Sequence, residues 1–278
     1  MKKLLLAALA TAVLRGMANA HDVQAGSLRD NLSASYQLMD LHYAEPSDTC
    51  ALAVCTNAPE ASYFDRESGY INGFRLSASG LMWEDRIYGH VDYERASGYI
   101  LYRGFTQSGT PIPNGVSGAV ISDYAARLGA AFASGDFVAV PFVEYGHHAW
   151  HRILGAGTAQ SYTEDYRHDY VGLGALLQVE FTAALAASIY AMAGQTVNPT
   201  ITVPALGFAQ SLGSSALVKV GATVDVRLSR AMGLYAGVRY TRFSYGQSAP
   251  QQSGGLVIME PQSDTVIASY EGGLRFFF

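Results

Sequence analysis

The sequence predicts an all-β chain, an antiparallel up-and-down barrel that crosses a bilayer with ten strands. Three observations carry that reading. The first is the closing stretch, where Val266, Ala268, Tyr270, Gly272, Leu274, Phe276 and Phe278 alternate with Ser269, Glu271, Gly273, Arg275 and Phe277. One of those two faces holds no charge, and a strand of this length, at about 3.3 Å per residue and tilted by about 40°, rises roughly 30 Å, the thickness of a hydrocarbon core. The second is that earlier stretches repeat the same period of two, joined alternately by long and short connections. The third is composition: of 278 residues 49% are apolar and only 15% charged, with 29 glycines and 18 tyrosines, which suits twisted strands and aromatic girdles. No apolar run reaches the eighteen or so residues a spanning helix needs, so any crossing is made by strands.

Taken in order, residues 1–20 read as a secretory signal peptide: Lys2 and Lys3, an apolar run from Leu4 to Leu14, and Ala18-Asn19-Ala20 before the cut. The mature chain, 21–278, is then one barrel domain with five long loops. Losing Lys2, Lys3 and Arg15 moves the formal charge from −5 by three units to −8, which gives no electrostatic reason to expect nucleic acid binding. The two cysteines, Cys50 and Cys55, lie in the first long loop, and in an exported chain they are expected to form one disulfide. A metal pair is the alternative, but the segment offers no histidine and only Asp48 as a nearby carboxylate.

Strands are expected near 33–43, 69–80, 86–95, 119–132, 137–150, 165–179, 184–196, 215–227, 233–245 and 264–278. Phase is specific, because a slip of one residue would turn charges into lipid. Tyr124, Ala126, Leu128, Ala130 and Phe132 alternate with Asp123, Arg127 and Gly129, and Val218, Val220, Ala222, Val224 and Val226 alternate with Lys219, Asp225 and Arg227. The stretch from Ala184 to Gly194 also suits a helix, and that reading would leave eight strands. Connections after the second, fourth, sixth and eighth strands are short, and the others run long and carry most of the proline, with short turns assigned to the periplasmic end.

The inward set brings together Asp40, Arg75, His90, Asp92, Glu94, Arg127, Glu144, Lys219, Asp225, Arg227, Arg239, Glu271 and Arg275. Charges of both signs in a confined interior are expected to pair and fill the lumen, because an unpaired buried charge is costly. Glu144, His148, His168 and Tyr170 should meet near the outer rim, a polar cluster able to bind a divalent ion or act as a base, or simply to satisfy itself. No metal-ligand spacing, phosphate loop or nucleophile elbow is present, so no cofactor is assigned. The outward sets offer no serine and histidine pair, the arrangement an outer-leaflet acyl hydrolase needs.

A last strand ending on Phe278, with apolar residues at alternate positions and an aromatic about nine from the end, resembles the C-terminal signal of bacterial outer-membrane β-barrel proteins. That resemblance implies export to the outer membrane and partners in the outer-membrane lipids, lipopolysaccharide and the barrel-assembly machinery, with the ligand of the surface loops unassigned. Ten strands with acidic and histidine residues near the rim are also similar to the topology of the omptin proteases, which set an Asp pair against an Asp and His pair across a cleft. Here Asp92 with Glu94 and His168 with Asp165 or Asp169 stand in for those pairs, although the first pair is mixed and the second is out of phase along its strand. The primary expectation is a structural or surface-interaction barrel. A rim enzyme and a narrow channel are the alternatives.

Overall fold

The computed structural model describes residues 28–46, 63–105, 111–253 and 256–278. Residues 1–20, expected to be a signal peptide, and Cys50 and Cys55 lie outside the described residues. Among the described residues there are fourteen strands: β1 (Asn31–Pro46), β2 (Tyr63–Met82), β3 (Ile87–Phe105), β4 (Pro111–Ala130), β5 (Phe132–Ser134), β6 (Phe137–Leu154), β7 (Tyr162–Thr182), β8 (Leu185–Val203), β9 (Phe208–Ser211), β10 (Ala216–Arg227), β11 (Met232–Tyr245), β12 (Gln251–Ser253), β13 (Leu256–Ile258) and β14 (Ser263–Phe277). Ten of them, β1–β4, β6–β8, β10, β11 and β14, form one antiparallel ring. It closes because β14 pairs with both β1 and β11, and β10 with β8. Closure leaves no unpaired edge, the condition for putting a sheet in lipid.

The alanine-rich stretch is strand. Residues of β8 pair with β7 on one side and β10 on the other, so Ala187, Ala191 and Ala193 are small outward side chains on a strand bonded along both edges. Two-sided pairing overrides local helix propensity here, and the count is ten.

Residue alternation sorts the wall into two faces. The outward face carries an apolar belt about ten residues tall, roughly 25 Å once tilted. Exposed Phe132, Phe137, Phe181 and Phe276 mark its lower edge, beside the short turns. Tyr36, Tyr70, Tyr145, Tyr240 and Tyr270 mark its upper edge, where Tyr93 and Tyr124 face each other across β3 and β4. Aromatic side chains at both borders of an apolar band are what the two membrane interfaces favour. Above the tyrosines, β2, β3, β4, β6, β7 and β8 continue into a crown that stands clear of the belt.

The lower end is closed as well. Leu28 is buried, and its amide donates to Gln178 Oε1 at 3.2 Å, across the barrel on β7. In the turn after β2, Trp83, Glu84 and Asp85 all take positive φ (49°, 56° and 62°), which reverses the chain within four residues at some cost in backbone strain.

Candidate functional site in the lumen and crown

Each strand contributes its inward residues to a lumen that is packed in tiers. In the lowest, Arg275 of β14 reaches over Gly233 of β11 to Asp225 of β10 (2.7 Å) and also donates to Asn31 of β1 (3.0 Å). The middle tier is a mesh. Arg75 binds Asp92 (3.3 Å) and Glu271 (3.2 Å), Arg239 binds Glu94 and approaches Glu271 (3.8 Å), and His90 lies 3.1 Å from Asp92. Gln37 donates to both Glu94 and Glu271 at 3.3 Å, so the two carboxylates share a neutral donor as well as cations. Beside it, Arg127 and Lys219 (3.0 Å) converge on Glu144, and Lys219 also donates to the Tyr170 hydroxyl. Long side chains need room: a Cβ at Gly221 would collide with the Tyr190 ring, which itself stacks under the Arg127 guanidinium at 4.3 Å. A cavity of about 50 Å³ lies among Arg75, Arg127, Arg239, Glu271 and Arg275, room for a few waters.

Every member of the expected lumen network (Arg75, Asp92, Glu94, Arg127, Lys219, Asp225, Arg239, Glu271 and Arg275) is therefore inside and paired. Two of the wider inward set depart: Arg227 sits at the lower mouth, where its guanidinium donates to the Ser229 and Arg230 carbonyls, and Asp40 is out of phase. The buried positions of β1 are the odd-numbered ones, and Asp40 faces outward beside His42 (3.1 Å). Its place in the row of Tyr70 and Tyr240, at the upper border of the apolar belt, is what permits a charge on that face.

The four rim residues are all buried and all inward, but they split between two tiers. Glu144 and Tyr170 belong to the Lys219 node. His148 and His168 stack at 4.9 Å one tier higher, His148 with Asp123 at 2.6 Å and His168 with the Tyr245 hydroxyl at 2.8 Å. Phe243 packs edge-on against His148 and tilted against His168, and Met39, Leu41, Ile71, Ile121 and Trp150 complete an apolar and aromatic layer above the charged mesh.

The most concentrated charge lies outside the inward set that the sequence marks. Arg152 of β6, 1% exposed, sits in the crown with Asp65, Glu67 (3.1 Å), Glu164 (2.7 Å) and Glu45 (3.9 Å) around its guanidinium. Tyr43, Tyr166 and Glu260 close the cluster: Tyr166 donates to Glu260 at 2.5 Å and Tyr43 to Glu45 at 2.8 Å. Four carboxyl groups thus lie within 4 Å of one guanidinium, and a fifth, Glu260, joins them through the Tyr43 and Tyr166 hydroxyls. Burial, with Glu164 as the next contributor, raises the Glu260 carboxyl to about 8, so it holds its proton at neutral pH. Two further oxygens, Asp65 Oδ1 and Glu67 Oε2, are buried without a hydrogen-bond partner among the described residues. These positions lie beyond the ends of the expected strands, where polar residues occur on both faces and alternation does not tell inward from outward.

The residues suggested by omptin topology do not assemble. Asp92 and Glu94 lie deep in the arginine mesh, and His168 points inward while Asp165 and Asp169 point outward to His151 (2.9 Å) and His147 (2.8 Å). The outer wall does carry a serine and a histidine on neighbouring strands, Ser122 of β4 and His147 of β6, contrary to the sequence reading. No hydrogen bond joins them; Ser122 accepts from Arg95 at 3.2 Å.

No protein-family model matches this chain, and no curated protein sequence does. Solved structures do resemble it. The outer membrane protease OmpT of Escherichia coli superposes with a TM-score of 0.60 at 7% identity, over 94% of this chain and 99% of that one. The translocator domain of the autotransporter NalP of Neisseria meningitidis (TM-score 0.41, 12% identity, 100% and 96% covered) and neisserial surface protein A (0.33, 10%, 89% and 97%) are more distant. At such identities the likeness is one of fold. The chain has the closed ten-stranded antiparallel architecture of a bacterial outer-membrane β-barrel.

Proposed function

We propose that this protein is a sealed outer-membrane barrel whose crown and long loops act at the cell surface, in a structural or surface-interaction role, and that it does not conduct. The observation that carries this reading is the stack of filled tiers: a plugged floor, a paired mesh, an aromatic layer and the Arg152 cluster occupy the lumen from end to end. Side chains can fill a barrel of this strand number, whereas porins with sixteen or more strands leave a channel. Recognition by the barrel-assembly machinery would run through β14, which ends beside Phe278. Orientation is tested by single cysteines in a Cys50→Ser/Cys55→Ser background, one at Thr158 in the β6–β7 turn and one at Glu84 in the β2–β3 turn. A membrane-impermeant maleimide on intact cells should label the first, and the second only after the outer membrane is permeabilised. The reverse pattern would overturn the reading.

A further inference from the structure

The cavity in the middle tier is lined in a way that favours negative charge. Four guanidinium groups, those of Arg75, Arg127, Arg239 and Arg275, border its volume of about 50 Å³. Over the whole mesh the charges balance, with Arg75, Arg127, Lys219, Arg239 and Arg275 against Asp92, Glu94, Glu144, Asp225 and Glu271. Of those carboxylates only Glu271 reaches the cavity lining. Seen from the cavity, four cations face a single anion.

The hydrogen-bonding groups lean the same way. A guanidinium carries five N–H donors and no acceptor. Arg127 donates only through Nε, to Glu144, and Arg239 only through Nη2, to Glu94. Arg75 uses Nε and Nη1 on Asp92 and Glu271, and Arg275 uses Nε and Nη1 on Asp225 and Asn31. Each of the four therefore keeps at least one Nη without a hydrogen-bond partner among the described residues. Tyr88, Tyr190 and Tyr235 also line the cavity, and their hydroxyls have no hydrogen-bond partner among the described residues either. Water can accept from such donors, but it does not offset converging positive charge. Arg75 and Arg239 crowd the same oxygen of Glu271, at 3.2 and 3.8 Å, so one carboxylate serves two guanidiniums.

Size and charge select the ligand. A cavity of this volume takes a halide with a water or two beside it. Because the mesh is otherwise neutral, a bound ion leaves a surplus of negative charge, which a monovalent anion keeps smallest and a divalent oxyanion doubles. Guanidinium groups are weakly hydrated and charged at every physiological pH, so they give up little solvation to hold such an ion.

We infer that the lumen cavity is a binding site for one monovalent anion of halide size, chloride under physiological conditions, held among Arg75, Arg127, Arg239 and Arg275 as a keystone of the closed barrel. The floor at Leu28 lies below it and the aromatic layer above, so the ion is taken up as the barrel closes and does not pass through.

The test is refolding of the full-length chain from urea into detergent in sodium bromide, followed by desalting into sodium gluconate, whose organic anion is too large for the cavity. Wild-type protein should retain one bromide per barrel by ion chromatography, and its crystals should show an anomalous peak at the bromine edge among the four arginines. At a chloride concentration ten times the dissociation constant, the unfolding equilibrium constant should be about tenfold lower than in gluconate of equal ionic strength. Ser77→Leu fills the cavity without touching a charge. Arg127→Leu removes two spare Nη donors while Lys219 still neutralises Glu144 at 3.0 Å. Both variants should lose the bromide and the chloride dependence, and unheated gel mobility reports whether each has closed; the wild-type measurements stand whether or not they do. No retained bromide, with equal stability in chloride and gluconate, would overturn the site. Bromide retained by both closed variants, or an anomalous peak elsewhere, would overturn its place in this cavity. Displacement of bromide by an equal concentration of sulfate during refolding would overturn the choice of a monovalent ion.

Discussion

Arg275→Ala removes the cation from the closure seam, where one guanidinium ties β10, β14 and β1 together. Asp225, 2% exposed, would keep only a long hydrogen bond from Thr223 at 3.5 Å. Stranding a buried carboxylate costs about 3–5 kcal/mol. Loss of the stacking of Arg275 on Tyr235, at 4.6 Å, adds a smaller amount, about 0.5–2 kcal/mol. The pair itself is worth far less than either single loss suggests, because both groups were desolvated to make it. Arg275→Leu/Asp225→Leu should therefore recover most of the stability, to within about 1–2 kcal/mol of wild type. Equilibrium unfolding in urea from lipid vesicles, followed by gel mobility and by the fluorescence of buried Trp150, measures all three proteins. An Arg275→Ala variant within about 0.5 kcal/mol of wild type, or a double variant as unstable as the single one, would refute the reasoning that lumen charges persist through pairing.

Other outcomes are equally definite. Arg152→Ala leaves Asp65, Glu67 and Glu164 facing one another and should cost about 3–5 kcal/mol, seen as protease cleavage in the crown while the belt strands still resist unheated detergent. Glu260 has a folded value raised to about 8 from 4.5, so the folded protein holds a proton the unfolded chain has lost; its contribution is fully present below about 4.5 and falls as pH rises toward 8. Hydrogen exchange of residues near Glu260 should accelerate over that range, and Glu260→Gln should abolish the dependence. Reduction of the proposed Cys50–Cys55 bridge, a ring worth about 2 kcal/mol of chain entropy, should expose the first long loop to proteases and leave the β signal in circular dichroism intact. Two free thiols in the exported, unreduced protein would contradict the bridge.

The belt was legible because lipid on one side and a charged lumen on the other force a strict period of two. All ten strands are where that alternation placed them, and the inward arginines and carboxylates follow from it. Legibility stops at the tyrosines. Above them water bathes the outer wall, a polar residue is tolerated on either face, and strand ends such as Tyr63–Ser68 or Ala96–Phe105 read as loop. That loss of contrast is why the sequence does not mark Arg152 and its carboxylates, and why alternation assigns Asp40, in the tyrosine row, to the lumen. Partnering across the barrel is the other hidden quantity: Arg127 with Lys219 on Glu144, or His168 with Tyr245, depends on ring closure, which no single strand encodes.

Conductance tests the central claim most directly. Purified, folded protein added to planar lipid bilayers, with insertion verified by the unheated gel shift, should show no steady openings across the voltage range that porins survive, because the tiers from Leu28 to Arg152 leave no continuous path. Large, stable, porin-like steps from the wild-type protein would contradict a filled lumen and restore the channel as its function.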